Sequence, residues 1–159
     1  MSKDRLSKLQ KWILVHCYLK TIKKQLPDSW KYCRGYNYVK SSIERRLLSD
    51  YDRARQCAKI DKDRLENYLC RSEILLNYFN LRLSYKEPFW SGYSDKFETS
   101  KEYKSALVVL SRSLKKLWGV KEGDGYIDCW NNGFVQWKGY SLTEKGIAKA
   151  EELLNVNTG

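Results

Sequence analysis

The segment Lys101–Trp118 carries the clearest periodic pattern in this sequence. On a helix each residue advances by about 100°, so its apolar residues fall on one face. A helix with such a stripe has to bury it against other elements. We therefore predict an amphipathic helix that is anchored to a core through Tyr103, Ala106, Leu107, Leu110, Leu114 and Leu117.

The opposite face of this predicted helix combines cations with small side chains. Lysine and arginine neutralise phosphates, and arginine and serine can also hydrogen-bond base edges in the major groove. Many surface helices have a basic side, so the pattern alone does not separate a DNA-reading helix from a solvated one. The candidate DNA-binding residues on this face are Lys101, Lys104, Ser105, Val108, Arg112, Lys115 and Lys116.

The distribution of charge favours a polyanionic partner. The chain has 159 residues, which fits one domain or one domain with an extra helical layer, and its 30 Lys and Arg against 19 Asp and Glu give a net charge of +11. Residues 1–24 hold seven bases and one acid, and residues 101–122 hold six bases and two acids. Charge concentrated in two segments fits a nucleic-acid contact better than a uniform solubility coat, although solubility alone can also explain a basic balance.

The residues that usually carry catalysis or bind metals are sparse. The five cysteines are widely spaced without a Cys-x-x-Cys motif, and His16 is the one histidine. A zinc site needs four clustered ligands, so we predict no metal, no cofactor and free thiols in a reducing cytoplasm. The chain has no Gly-rich phosphate loop or nucleophile elbow, so we predict that it is not an enzyme. Its apolar runs are too short for a membrane span, and its start does not resemble a leader peptide.

The first eighty residues are predicted to be mostly helical. Leu6, Leu9, Ile13, Val15, Leu19 and Ile22 recur near helical spacing, and Pro27 follows them as a breaker. A short helix is predicted from Ser72, which would be its N-cap, with Glu73 near its positive end. The other predicted elements are a loop over Ser29–Tyr38, a helix over Val39–Lys59, a helix over Asp61–Cys70 with Asp61 as N-cap, and an aromatic loop over Leu81–Ser100.

A β-hairpin is predicted after the amphipathic helix. Tyr126–Trp130 and Phe134–Leu142 are strand-like, and Asn131–Gly133 between them is a turn signal. Thr143 then follows as the N-cap of a last helix. Lys138 can reach a phosphate from the hairpin, so it joins the candidate DNA-binding residues.

The C-terminal part of the sequence, roughly Cys70–Leu154, resembles winged helix-turn-helix transcription regulators, loosely of the multiple-antibiotic-resistance-regulator (MarR) kind. The stretches that carry the resemblance are "RSEILLNYF", "LSRSLKKLWGV" and "YSLTEKGIAKAEELL". The resemblance implies a mainly α fold with a small β-hairpin wing. It also implies a recognition helix near 101–118 that enters the major groove of double-stranded DNA, and a wing near 126–142 on phosphate or the minor groove.

The predicted organisation is an N-terminal helical segment (1–70), a candidate dimerisation layer, followed by a winged-helix DNA-binding domain (71–159). About twenty residues separate the two helices of the motif, where the family has a few. From the resemblance and the basic charge, we expect a cytoplasmic, homodimeric, sequence-specific regulator with no membrane contact. Two alternatives stay open: a protein–protein interaction module of winged-helix fold, and a replication or partition DNA-binding protein of a mobile element.

Overall fold

The computed structural model describes residues 6–32, 34–81, 101–119, 123–131 and 138–158. These residues are mainly helical and include a small antiparallel sheet of three strands, which confirms the predicted mixture of helices and a small β element. The helices are α1 (Lys8–Tyr18), which continues into a π-helical turn (Leu19–Lys23), α2 (Arg34–Leu47), α3 (Asp52–Asn67), α4 (Arg71–Asn77), α5 (Lys101–Trp118) and α6 (Glu144–Thr158). The strands are β1 (Leu69–Cys70), β2 (Ile127–Asn131) and β3 (Lys138–Leu142).

Helix α1 begins with a capping box. The Ser7 hydroxyl accepts a hydrogen bond from the Gln10 backbone N–H (3.1 Å), and the Gln10 side chain accepts one from the Ser7 N–H (2.8 Å). Two N–H groups that have no partner inside the helix are satisfied in this way. The predicted helix is therefore present, but its apolar stripe differs: Ile22 is exposed, and Lys20, seven residues after buried Ile13, faces the interior.

Helices α2 and α3 form a hairpin where a single helix over Val39–Lys59 was predicted, so that prediction is wrong. The N–H groups of Leu48 and Ser49 bond carbonyls only three residues back, which closes α2 with tight turns. The Ser49 hydroxyl then accepts from the Tyr51 N–H (3.2 Å) before α3 begins. The loop predicted over Ser29–Tyr38 is likewise helical from Arg34.

The predicted N-cap role of Asp61 is also wrong, because Asp61 lies inside α3 and pairs with Arg46 of α2 (2.6 Å). A small core of Ile43, Ala58 and Leu65 holds the two helices together. The hairpin therefore has both an apolar contact and an ion pair between its arms.

The sheet has the strand order β1-β3-β2, with both pairings antiparallel. Leu69 pairs with Tyr140, and Ile127 pairs with Leu142. Residues 69–70 were predicted to be helical and form β1 instead, since they lie beside β3. Helix α4 consequently has Cys70 and not Ser72 as its N-cap, which corrects a second detail.

The main core joins the two ends of the described chain. Helix α1 packs against α5, α6 and β3. The Cys17 thiol donates to the Tyr140 carbonyl (3.3 Å), and the Tyr18 hydroxyl donates to the Glu151 carboxylate (3.1 Å). The domain division at residue 70 stays a prediction, but residues on both sides of it contribute to this core.

A buried ion pair lies inside this core. The Lys20 ammonium, on the π-helical turn, is 2.5 Å from Oε1 of Glu73 in α4, and the side chains are only 6% and 2% exposed. The same Glu73 oxygen accepts a hydrogen bond from the Cys70 backbone N–H (2.9 Å), which caps α4. The Glu73 carboxylate therefore both neutralises the buried charge of Lys20 and caps the N-terminus of α4.

Breaking this pair should be costly, whereas removing both charges should not be. Glu73→Gln keeps an acceptor for the Cys70 N–H but takes the carboxylate away from Lys20. We expect this variant to lose about 3–5 kcal/mol of unfolding free energy. The double variant Lys20→Met/Glu73→Gln should recover most of that loss, because it buries no charge. Urea denaturation of wild type, both single variants and the double variant measures the cycle; additive losses would contradict the expected coupling.

An aromatic cluster surrounds His16 near the end of α1. Its imidazole stacks on Trp12 (ring centroids 4.0 Å apart) and lies parallel to Trp30 at 5.7 Å. The His16 Nδ1–H donates to the Trp12 carbonyl (2.9 Å). Burial lowers the pKa of His16 below its ordinary value, and the hydrogen bond opposes part of this change.

The lowered pKa predicts a loss of stability in mild acid. Below about pH 6.5, the ordinary pKa of histidine, the unfolded chain takes up a proton that folded His16 resists. The stability contributed by neutral His16 is therefore complete above about pH 6.5. It is lost as the pH falls from that value through the lowered pKa of folded His16. Melting temperatures from pH 7.5 to 5.0 should fall less in His16→Phe than in wild type. Parallel curves for the two proteins would rule out a contribution from this residue.

Candidate nucleic-acid interface

Helix α5 has the bounds that its apolar pattern predicts, and its C-terminal end is tied to the hairpin. The N–H groups of Asp124 and Tyr126 donate to the carbonyls of Lys116 and Leu117, both at 2.7 Å. A Cβ atom on Gly123 would lie 2.4 Å from the Gly119 nitrogen, so this close return requires glycine. These contacts fix where β2 starts relative to the last turn of α5.

The inner face of α5 confirms the predicted stripe. It packs against α1 and β2, with Leu107 half-buried at its margin. Ser113 is also buried, which the apolar pattern did not indicate. The buried residues are Tyr103, Ala106, Leu110, Ser113, Leu114 and Leu117.

The outer face of α5 presents all the candidate residues that the sequence placed on it. At 100° per residue they lie within an arc of about 120°. Five are cations, and Glu102 at the margin is the one acid in α5. Val109 is exposed beside this face and was not among the predicted residues. The exposed candidates are Lys101, Lys104, Ser105, Val108, Arg112, Lys115 and Lys116, and we call this set the α5 basic face.

The cations of the α5 basic face are exposed to solvent. Within the part of the chain that the structure describes, no ion pair involves Lys104, Arg112 or Lys115. The cations are spread along a helix of 18 residues, about 27 Å long at 1.5 Å per residue. Such a row of cations creates a positive potential that attracts a polyanion.

Lys138, the remaining candidate residue, lies on a different element. It is the first residue of β3 and pairs with Asn131 at the end of β2. The turn predicted at Asn131–Gly133 is therefore wrong at Asn131, because this residue belongs to the strand ladder. Asn132, Gly133 and the predicted strand start at Phe134 lie outside the described residues, as does the aromatic loop after Leu81.

Thr143 joins the hairpin to α6 and confirms its predicted role as N-cap. Its hydroxyl accepts from the Gly146 N–H (3.1 Å) and donates to the Gly125 carbonyl (2.7 Å). A Cβ on Gly146 would come within 1.9 Å of the Tyr126 carbonyl oxygen, so α6 approaches the start of β2 closely. The hairpin is thus held at its base by both α5 and α6.

The described residues include four of the five cysteines. Cys17 and Cys57 are free thiols, and burial raises the pKa of Cys17 to about 12. Among the residues described, no group of three or more His, Cys, Asp or Glu side chains is arranged to hold a metal ion. No helix in the same part of the chain is long and apolar enough to cross a membrane.

Comparison with known proteins leaves the candidate interface to be judged from its own geometry. The chain matches no protein-family model, no curated protein and no solved structure. The structure shows a helix anchored by one face, with exposed cations on the other and a β-hairpin attached to its end. This arrangement can bind phosphates and can present an exposed helix to a groove.

The two faces of α5 should respond differently to alanine. Leu110→Ala removes a fully buried side chain and should cost about 2–5 kcal/mol of unfolding free energy. Arg112→Ala, two positions later on the exposed face, should change it by no more than about 0.5 kcal/mol. Chemical denaturation of both variants measures the difference. A large loss in Arg112→Ala would mean that this side chain supports the fold.

Proposed function

We propose that this chain binds double-stranded DNA as a winged helix-turn-helix protein and acts as a sequence-specific transcriptional regulator. In this proposal α5 is the recognition helix and the β2–β3 hairpin is the wing. The observation that carries it is the α5 basic face, five exposed cations on a helix whose other side is buried.

The dimensions of α5 and of DNA are compatible. The major groove of B-DNA is about 12 Å wide and admits an α-helix. In that groove the lysines at the margins of the face, such as Lys104 and Lys116, would meet phosphates on either side. Arg112 and Ser105, nearer its centre, would then face base edges.

The order of elements supports the winged-helix assignment. Among the described residues, α4 is followed by α5, and α5 is followed by the hairpin. Strand β1 lies immediately before α4 and joins the same sheet as the hairpin. The sheet therefore connects the entry to the pair of helices with their exit. Lys138 at the start of β3 is the candidate phosphate contact of the wing.

The shape of the nucleic acid favours DNA over double-stranded RNA as the partner. The major groove of A-form RNA is deep and narrow, and side chains on a helix cannot read it. A protein that uses an exposed helix such as α5 therefore fits the B-form duplex better.

Binding to a duplex of random sequence should weaken steeply with salt. Each neutralised phosphate contributes about −0.9 to the slope of log Kobs against log salt concentration. Lys104→Ala/Lys115→Ala should make this slope less steep by roughly 2. The control Lys59→Ala/Lys62→Ala removes the same charge from the exposed side of α3 and should keep the wild-type slope.

Two results of this titration would contradict the proposal. One is the absence of duplex binding at low salt, which would favour the protein-interaction module. The other is an equal change of slope in the α3 control, which would mean that net charge and not the α5 basic face drives binding.

Sequence-specific binding and assembly can be measured on duplexes selected from a random pool. Arg112→Ala should lower affinity for the selected site by about 1–3 kcal/mol, as expected for a lost base-edge contact. Lys116→Ala should weaken binding to selected and random duplexes to the same extent.

We further propose that the protein binds as a homodimer, and light scattering of the complex should give two chains per duplex. One chain per duplex would contradict the proposed dimer but not the proposed DNA binding.

A further inference from the structure

Val108 lies at the centre of the α5 basic face. On the helix its nearest neighbours, three and four positions away, are Lys104, Ser105, Ser111 and Arg112. All four are exposed, and Val108 itself is 50% exposed. An apolar side chain therefore stands between short serines, with a long cation on either side.

The fold gives no reason for valine at this position. Half of its surface stays in water, and a β-branched side chain is a poorer helix former than the lysine and arginine next to it. An apolar group of a partner that covers the exposed half of Val108 would add favourable free energy to binding. In the proposed function the partner on this row of cations is a polyanion, so the apolar group would belong to it.

The major groove of DNA offers one such group. Thymine presents its C5 methyl at the base edge, beside acceptors and donors that are all polar. Uracil and cytosine lack this methyl. The short side chains of Ser105 and Ser111 leave Val108 free to approach a base edge, while Lys104 and Arg112 can reach further.

We propose that Val108 is a specificity-determining residue that contacts the C5 methyl of a thymine in the recognised site. This inference rests on the proposed DNA-binding function. It assigns to the site a DNA sequence with a thymine opposite the middle of α5, and it predicts discrimination between thymine and uracil at that one position.

Val109 provides a matched control on the same helix. It is the same residue type and is 49% exposed, against 50% for Val108. It lies about 100° further around the helix, towards Glu102 and away from the centre of the face. Val109→Ala therefore removes the same atoms from a position just outside the α5 basic face.

The experiment uses the full chain and a duplex selected from a random pool. Each thymine of the selected site is replaced in turn by deoxyuridine, which removes only the methyl. We expect one replacement to weaken wild-type binding about fourfold, the factor for one methyl-sized group removed from water. Val108→Ala should bind the duplex with thymine at that position and the duplex with deoxyuridine there with equal affinity. Val109→Ala should keep the fourfold difference between the two duplexes. Thermal melts followed by circular dichroism should show both variants folded.

The outcomes separate this inference from the function on which it rests. If wild type binds the duplex but no deoxyuridine replacement matters, or if Val108→Ala keeps the difference, the thymine contact is refuted and DNA binding stands. Loss of the difference in Val109→Ala but not in Val108→Ala also refutes it. If wild type binds no duplex at low salt, the proposed function fails and this inference fails with it.

Discussion

The buried pair of Lys20 and Glu73 is the contact on which the arrangement of the helices depends. Moving two charges out of water is expensive, and their attraction offsets that cost only when the geometry is good and other hydrogen bonds help. Here the carboxylate oxygen that meets the ammonium also accepts the Cys70 N–H. The π-helical turn after α1 and the start of α4 are therefore held together over 53 residues of sequence. Helix α4 has only seven residues, too few to be stable alone, so it depends on contacts of this kind.

The position of α5 follows from the elements around α4. Strand β1 leads into α4 and pairs with β3, and β2 begins at the hydrogen bonds that close the last turn of α5. The buried stripe of α5 packs on α1, the helix that continues into the turn carrying Lys20. The direction of the α5 basic face is thus set by a core to which both ends of the described chain contribute.

The sequence predicts α5 and its two faces well because 18 residues of regular period leave little choice of which side is buried. It predicts Thr143 as a cap for a similar local reason, since hydroxyl caps act within three residues.

The break between α2 and α3 was missed because Ser49 and Asp50 carry no glycine or proline signal. Strand β1 was missed because two residues have no period and form a strand only beside β3. The burial of Lys20 could not be predicted, since the sequence does not show that its partner is Glu73. The register of the hairpin is likewise set by the ladder that joins Asn131 to Lys138, which the local turn signal at Asn131–Gly133 did not reveal.

The contacts of α1 with the far end of the chain have a consequence for synthesis on the ribosome. Cys17 and Tyr18 find their partners 123 and 133 residues later. At the ordinary rate of translation, roughly 5–20 residues per second, α1 waits on the order of ten seconds with Leu9, Ile13 and Leu14 uncovered. Pairings so distant in sequence also slow folding itself. The apolar side chains of α1 therefore stay without their partners until the segment that carries β3 and α6 has been made.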